Sequence, residues 1–127
     1  AGMADQPYGI PNYRVRGYVP KTTVPVGYWR SVSASQNAFF HESFIDEMAF
    51  ATETDPVEFR LARVTDPRDA DVLQATADLA GWEPHVTPRR RREANGNFVG
   101  QGIAYATRNG SVNSSGFSHR ARVPNWV

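Results

Sequence analysis

Two Asp-Pro steps, Asp55-Pro56-Val57-Glu58 and Asp66-Pro67-Arg68-Asp69, divide the middle of this 127-residue chain. In each, the aspartate carboxylate can accept the free N–H groups of a first helical turn. The proline presets φ at the first helical position, where no N–H is needed. Glu58 completes the first of these starts as the third-position acid. One helix must therefore end before Asp55, a second before Asp66, and a third must follow.

Hydrophobic spacing fills in this frame. Between about 35 and 53, Phe40, Phe44 and Met48 recur at helical spacing, and Ile45 and Ala49 widen the stripe. Glu42, Asp46, Glu47 and Glu53 take much of the other side, as a solvated acidic face or a partner contact. Ser33 or Ser35 is a candidate N-cap. Val57, Leu61 and Val64 give the second helix its apolar face. The third runs through Val72, Leu73, Thr76 and Ala80 to a C-terminal stop at Gly81.

Before the helices, residues 1–34 are rich in Pro, Gly, Val and Tyr. Residues 10–16 alternate weakly and read as a short strand, with Arg14 and Arg16 on one face. Such a segment needs a partner sheet for its backbone, and the chain offers few other strands. Residues 84–97 read as a linker by composition. A strand follows over 102–107, and Asn109-Gly110 is a hairpin-turn signal. The return strand is not evident, because residues 111–127 are polar and aperiodic. The expected class is α+β: an extended N-terminal segment, three helices and a short C-terminal β-hairpin.

Composition narrows the chemistry. The chain has no cysteine, which excludes disulfides, thiolate metal sites and cysteine nucleophiles within it. A cysteine-free chain is compatible with cytoplasm and periplasm alike, so the compartment stays open. No apolar run approaches the roughly 20 residues of a membrane span, and no signal-peptide pattern is present. The chain opens Ala1-Gly2 without an initiator methionine, so an upstream part can be missing. Net charge is only +1 but lopsided: residues 89–127 hold one acid, Glu93, against seven arginines.

The segment Gly27-Tyr28-Trp29-Arg30-Ser31-Val32-Ser33-Ala34-Ser35-Gln36-Asn37-Ala38-Phe39 delivers an arginine and then small residues into a helix start. Arg30 can orient a carboxylate, carbonyl or oxyanion, or it can lie on the surface beside Trp29. Ser31, Ser33 and Ser35 can cradle an anion or simply cap the helix. His41 has no second ligand at i+4, so no zinc site is expected. Arg89, Arg90, Arg91 and Arg92 can bind an acidic partner or phosphate, or form a solvated linker. No aromatic residue interleaves the run in sequence, and no nucleic-acid signature accompanies it. Gly100-Gln101-Gly102 lacks the third glycine of a dinucleotide loop.

The order of these motifs carries a resemblance. Pro7-Tyr8-Gly9-Ile10-Pro11-Asn12, Val24-Pro25-Val26-Gly27-Tyr28-Trp29-Arg30-Ser31-Val32, Ala34-Ser35-Gln36-Asn37-Ala38-Phe39, Glu42-Ser43-Phe44-Ile45-Asp46-Glu47 and Asp55-Pro56-Val57-Glu58-Phe59-Arg60 follow one another. Together they resemble the molybdenum-binding large subunit of the xanthine dehydrogenase/aldehyde oxidoreductase family, in its isoquinoline 1-oxidoreductase beta-subunit branch. Collinear similarity covers roughly residues 7–107.

The resemblance implies a molybdopterin cofactor, in bacteria usually the cytosine dinucleotide form. It implies hydroxylation of an aromatic N-heterocycle or aldehyde with water as oxygen source, and a small subunit carrying two [2Fe-2S] clusters. It implies that Trp29, Arg30, Ser31 and Gln36 contact the cofactor and that Arg30 is catalytic, orienting substrate or stabilising developing charge. Ser31 and Ser33 stand where relatives have glycine. The family's glutamate motif and its pterin loops have no counterpart here. The expectation is a partial molybdopterin-binding domain over 1–108 and a divergent, disordered tail over 109–127, reading as truncated or frame-shifted. Such a chain is expected to be inactive alone and to retain no cofactor. The alternative is a non-enzymatic module that binds an acidic partner through Arg89, Arg90, Arg91 and Arg92.

Overall fold

A computed structural model of the protein describes residues 6–27 and 34–106 in full, and residues 115–123 as backbone. Three helices precede an antiparallel sheet: α1 (Ala34–Ala51), α2 (Pro56–Leu61), α3 (Pro67–Ala80), β1 (Arg91–Arg92), β2 (Phe98–Ala106) and β3 (Ser115–Val123). The sheet order is β1-β2-β3. This is an α+β arrangement.

The Asp-Pro steps act as their chemistry dictates. The Asp55 carboxylate accepts the N–H groups of Val57 (2.9 Å) and Glu58 (3.1 Å) at the start of α2. The Asp66 carboxylate accepts Arg68 N–H at 2.9 Å at the start of α3. Gly81 ends α3 in the left-handed region (φ 59°, ψ 53°). Trp82 N–H then reaches back to the Ala77 carbonyl at 2.9 Å, closing the helix end. At α1, Ser35 lies inside the first turn and is not the cap; Ser33 falls outside the described residues.

Two apolar clusters share Val64. Val57, Leu73, Ala77, Ile103 and Tyr105 form one, between α2, α3 and β2. Tyr8, Ile45, Ala49 and Phe59 form the other, between the N-terminal segment, α1 and α2.

Three readings of the sequence need correction. Residues 10–16 are not a strand. A turn at Pro11-Asn12 interrupts them, residues 11–20 are exposed, and the local pairing is a single antiparallel bridge from Tyr8 to Val64. The linker over 84–97 ends in structure. Arg91 and Arg92 pair with Val99 and Phe98, so β2 begins at Phe98 rather than Gly102. The hairpin joining them uses a turn over 93–96, with Gly96 at φ 88° and Asn97 N–H bound to the Asn95 side chain at 3.0 Å. Last, a nine-residue return strand exists. β3 pairs with β2 from Ala106↔Ser115 to Phe98↔Val123, so a return strand is present although the residue pattern does not show it. Polar residues conceal it, because one neighbouring strand supplies its hydrogen bonds whatever its side chains. Asn109-Gly110 lies outside the described residues.

Candidate functional site

The site read from sequence is the entry to α1. Trp29, Arg30 and Ser31 lie outside the described residues. Gln36 sits in the first turn of α1, exposed, where its Oε1 accepts the Ser35 hydroxyl at 2.8 Å. That turn contains no acidic residue. With no acid in that turn and the Gln36 amide exposed, this part of the entry is compatible with an anionic, hydrogen-bonding ligand. Among the described residues, no group of three or more His, Asp or Glu could hold a metal ion.

What fixes α1 is a buried polar network that the sequence reading placed on the wrong side. Glu42 is 4% exposed and Arg60 0%. Arg60 Nε donates to Glu42 Oε2 at 3.0 Å, and its terminal nitrogens reach Asp46 Oδ1 (2.7 Å), the Pro56 carbonyl (3.0 Å) and the Glu42 carbonyl (3.2 Å). The same Glu42 oxygen accepts the Tyr8 hydroxyl at 3.2 Å and the Tyr105 N–H at 2.8 Å. One carboxylate thus joins the N-terminal segment, α1, α2 and β2. His41 Nδ1 lies 3.4 Å from its other oxygen, and the His41 ring stacks on Tyr8.

The electrostatics follow from this geometry. Burial pushes the Glu42 carboxyl up, but His41, Arg60 and the Tyr105 N–H together hold it below its ordinary value. Burial, reinforced by the Glu42 charge, pushes the Tyr8 hydroxyl far up, so it stays a neutral donor. Arg60 is desolvated, yet Glu42 and Asp46 hold its pKa above the ordinary value.

The buried face of α1 is therefore His41, Glu42, Ile45 and Ala49. Phe40 and Phe44, expected in the core, are each 57% exposed, and Phe39 and Phe50 are exposed too. Glu42 is not on a solvated face. The missed signal was its place three residues before Ile45, on the side that α1 buries, combined with an arginine in the Asp-Pro helix.

Arg89, Arg90 and Arg91 line an open cleft of about 510 Å³ together with Glu83, His85 and Gln101. Arg89 is paired with Glu83 at 2.9 Å. Arg90 and Arg92 lie over the Phe98 ring at 5.2 and 5.8 Å. The aromatic partner absent from the run in sequence comes from the next strand. Among the described residues, no helix is long and apolar enough to cross a membrane.

The chain is similar to known proteins over much of its length. Residues 1–64 match the family model of the molybdopterin cofactor-binding domain. The B subunit of nicotinate dehydrogenase from Pseudomonas putida is 43% identical over 100 residues, covering 79% of this chain and 8% of that protein. The beta subunit of isoquinoline 1-oxidoreductase from Brevundimonas diminuta is 35% identical over 99 residues, covering 77% of this chain and 12% of that protein. The chain thus spans about a tenth of the length of these relatives. No solved structure matches it. The chain belongs to the molybdopterin cofactor-binding domain family, in the large-subunit line of the xanthine dehydrogenase/aldehyde oxidoreductase enzymes.

Proposed function

We propose that this chain supplies one wall of the molybdopterin site in a molybdenum hydroxylase large subunit. The observation that carries the reading is the 43% identity over 100 residues to a nicotinate dehydrogenase subunit. When bound, the cofactor would supply redox chemistry for hydroxylating an aromatic N-heterocycle or aldehyde, with water as oxygen source. The cytosine dinucleotide form and an electron-accepting [2Fe-2S] small subunit belong to the same proposal.

Within it, Trp29, Arg30, Ser31 and Gln36 hold the cofactor. Arg30 acts on the reacting centre: a guanidinium in a closed site orients a carboxylate or ring nitrogen and offsets developing negative charge. Gln36 offers its amide from the first turn of α1. Ser31 and Ser33 add hydroxyls where relatives have glycine, which alters how closely the backbone approaches the cofactor. The chain alone is inactive, because a site with one wall neither encloses the cofactor nor excludes water.

The test is metal and pterin analysis of the assembly that carries this chain, purified from its source. Stoichiometric molybdenum, with CMP released on acid hydrolysis, is the expected result. Its absence, with tight retention of an acidic protein instead, would favour a module working through Arg89, Arg90, Arg91 and Arg92. Turnover of an N-heterocycle by the isolated chain would overturn the claim of inactivity.

A further inference from the structure

Helix α1 is apolar on two opposite sides. Its buried residues, His41, Glu42, Ile45 and Ala49, meet the N-terminal segment, α2 and β2. Four phenylalanines lie outside that face: Phe39 is 69% exposed, Phe40 and Phe44 57%, and Phe50 54%. At roughly 100° per residue, these four span an arc of about 140°, and its middle lies about 180° from the middle of the buried arc. Phe39 and Phe40 meet edge to face with centroids 5.7 Å apart, which joins the two halves of the arc into one patch. A fully packed aromatic side chain buries roughly 150–250 Å², so four that are more than half exposed leave on the order of 400 Å² in water on one helix. That alone matches the largest apolar patch of an ordinary monomer. A surface helix needs one apolar face. A helix with two, back to back, is built to lie between two layers.

This chain supplies one of those layers. It spans 8% and 12% of the two relatives it matches, so in such a subunit most of the polypeptide is available to supply the other. We propose that the phenylalanine face of α1 is an interior surface of the large subunit, covered by a segment of that subunit's remaining polypeptide. The chemistry of the segment follows from what else stands within the arc. Glu47 lies near its middle and Gln36 at its N-terminal end, both exposed. The covering segment is therefore apolar towards the rings and brings one cation, an arginine or lysine, to Glu47. A carboxylate shut under an apolar surface is costly unless it is paired. The same segment closes over Gln36 and so gives the proposed cofactor site a second wall. This occupant rests on the function proposed above; the two-sidedness of α1 does not.

The test is hydroxyl-radical footprinting, read by mass spectrometry, of the isolated chain and of the assembly that carries it, purified from its source. Phenylalanine is itself oxidised, so no substitution is needed. In the isolated chain, Phe40 and Phe44 are expected to oxidise much faster than Phe59, which is 3% exposed. In the assembly their rates are expected to fall by at least about fivefold, to the level of Phe59. A second arm places Glu47→Lys in the chain. Glu47 is exposed, so far-UV circular dichroism of the isolated variant should be unchanged. Its retention in the assembly should fall by about tenfold, because a lysine then meets the cation that faced the glutamate.

Equal oxidation of Phe40 and Phe44 in the isolated chain and in the assembly overturns the proposal. So does recovery of the chain from its source with no larger polypeptide attached. Protection that grows with the concentration of the isolated chain would make a second copy the occupant and overturn it too. Retention unchanged by Glu47→Lys removes the paired cation, and with it the stated chemistry of the partner. Molybdenum in the same assembly is counted separately. Protection without molybdenum keeps the docking face and removes the cofactor reading; molybdenum without protection does the reverse.

Discussion

The Trp82 indole N–H donates to Asp55 Oδ2 at 3.0 Å, across the whole of α2 and α3. The backbone N–H of His85 donates to the same oxygen at 2.9 Å. Oδ1 meanwhile caps α2. One carboxylate therefore starts one helix and ties down the chain that leaves the next. Residues 84–97 look like a linker in composition, yet their first turn is held from within.

Asp55→Asn is expected to keep the cap through its carbonyl oxygen but to present an NH₂ group to two donors. Stranding those donors costs about 1–3 kcal/mol. Asp55→Ala loses the cap as well and should cost about 1 kcal/mol more. Urea unfolding checks the order, Ala below Asn below the unaltered chain. Equal stability of all three would remove the second role of Asp55.

Glu42 and Arg60 give a second ordering. Arg60→Met leaves the Glu42 carboxylate buried with its main counter-charge gone, at a cost of about 3–5 kcal/mol. Adding Glu42→Leu removes the stranded charge, so the double variant should be more stable than Arg60→Met alone. A double-mutant cycle by denaturant unfolding reads the coupling directly. Additive losses would mean that the pair contributes nothing specific.

Much of this fold was legible because helix starts and stops are local. Asp55-Pro56, Asp66-Pro67 and Gly81 act through groups within a few residues of themselves, and each works as its residue type requires. The rotation of α1 was not legible. Phe40 and Phe44 satisfy the apolar period, but Tyr8, Arg60 and Tyr105 decide which face is buried, and they lie far away in sequence. β3 was hidden for a related reason: pairing is set by the neighbouring strand, not by its own alternation. The candidate site divides in the same way. Gln36 falls where the helical period puts it, whereas the assignment of Trp29, Arg30 and Ser31 rests on motif order alone.

Gly81 isolates a backbone effect. It sits at φ 59°, and a β-carbon there would meet nothing within 4 Å. Gly81→Ala therefore adds no clash and pays only for the left-handed conformation, about 1 kcal/mol. The expected result is a lower urea midpoint with an unchanged m-value. A neutral substitution would show that the end of α3 rearranges at no cost.

Acid should unfold the chain through its two held carboxylates. At Asp55, burial alone would raise the pKa. The N–H groups of His85, Trp82, Glu58 and Val57 outweigh that and bring it below the ordinary value, as His41, Arg60 and Tyr105 do for Glu42. The folded state thus binds these protons less readily than the unfolded chain. The sign is fixed: stability is complete above the ordinary carboxylate range near pH 4 and falls as pH drops through the lower folded-state values. Each such group adds up to about 1.4 kcal/mol per pH unit to the slope in that window. Asp55→Asn removes one of them. Urea midpoints measured from pH 7 to 2.5 should therefore fall less steeply below about pH 4 in Asp55→Asn than in the unaltered chain. Parallel curves would mean that Asp55 titrates alike in both states, and its four hydrogen bonds would then not distinguish the folded carboxylate from the unfolded one.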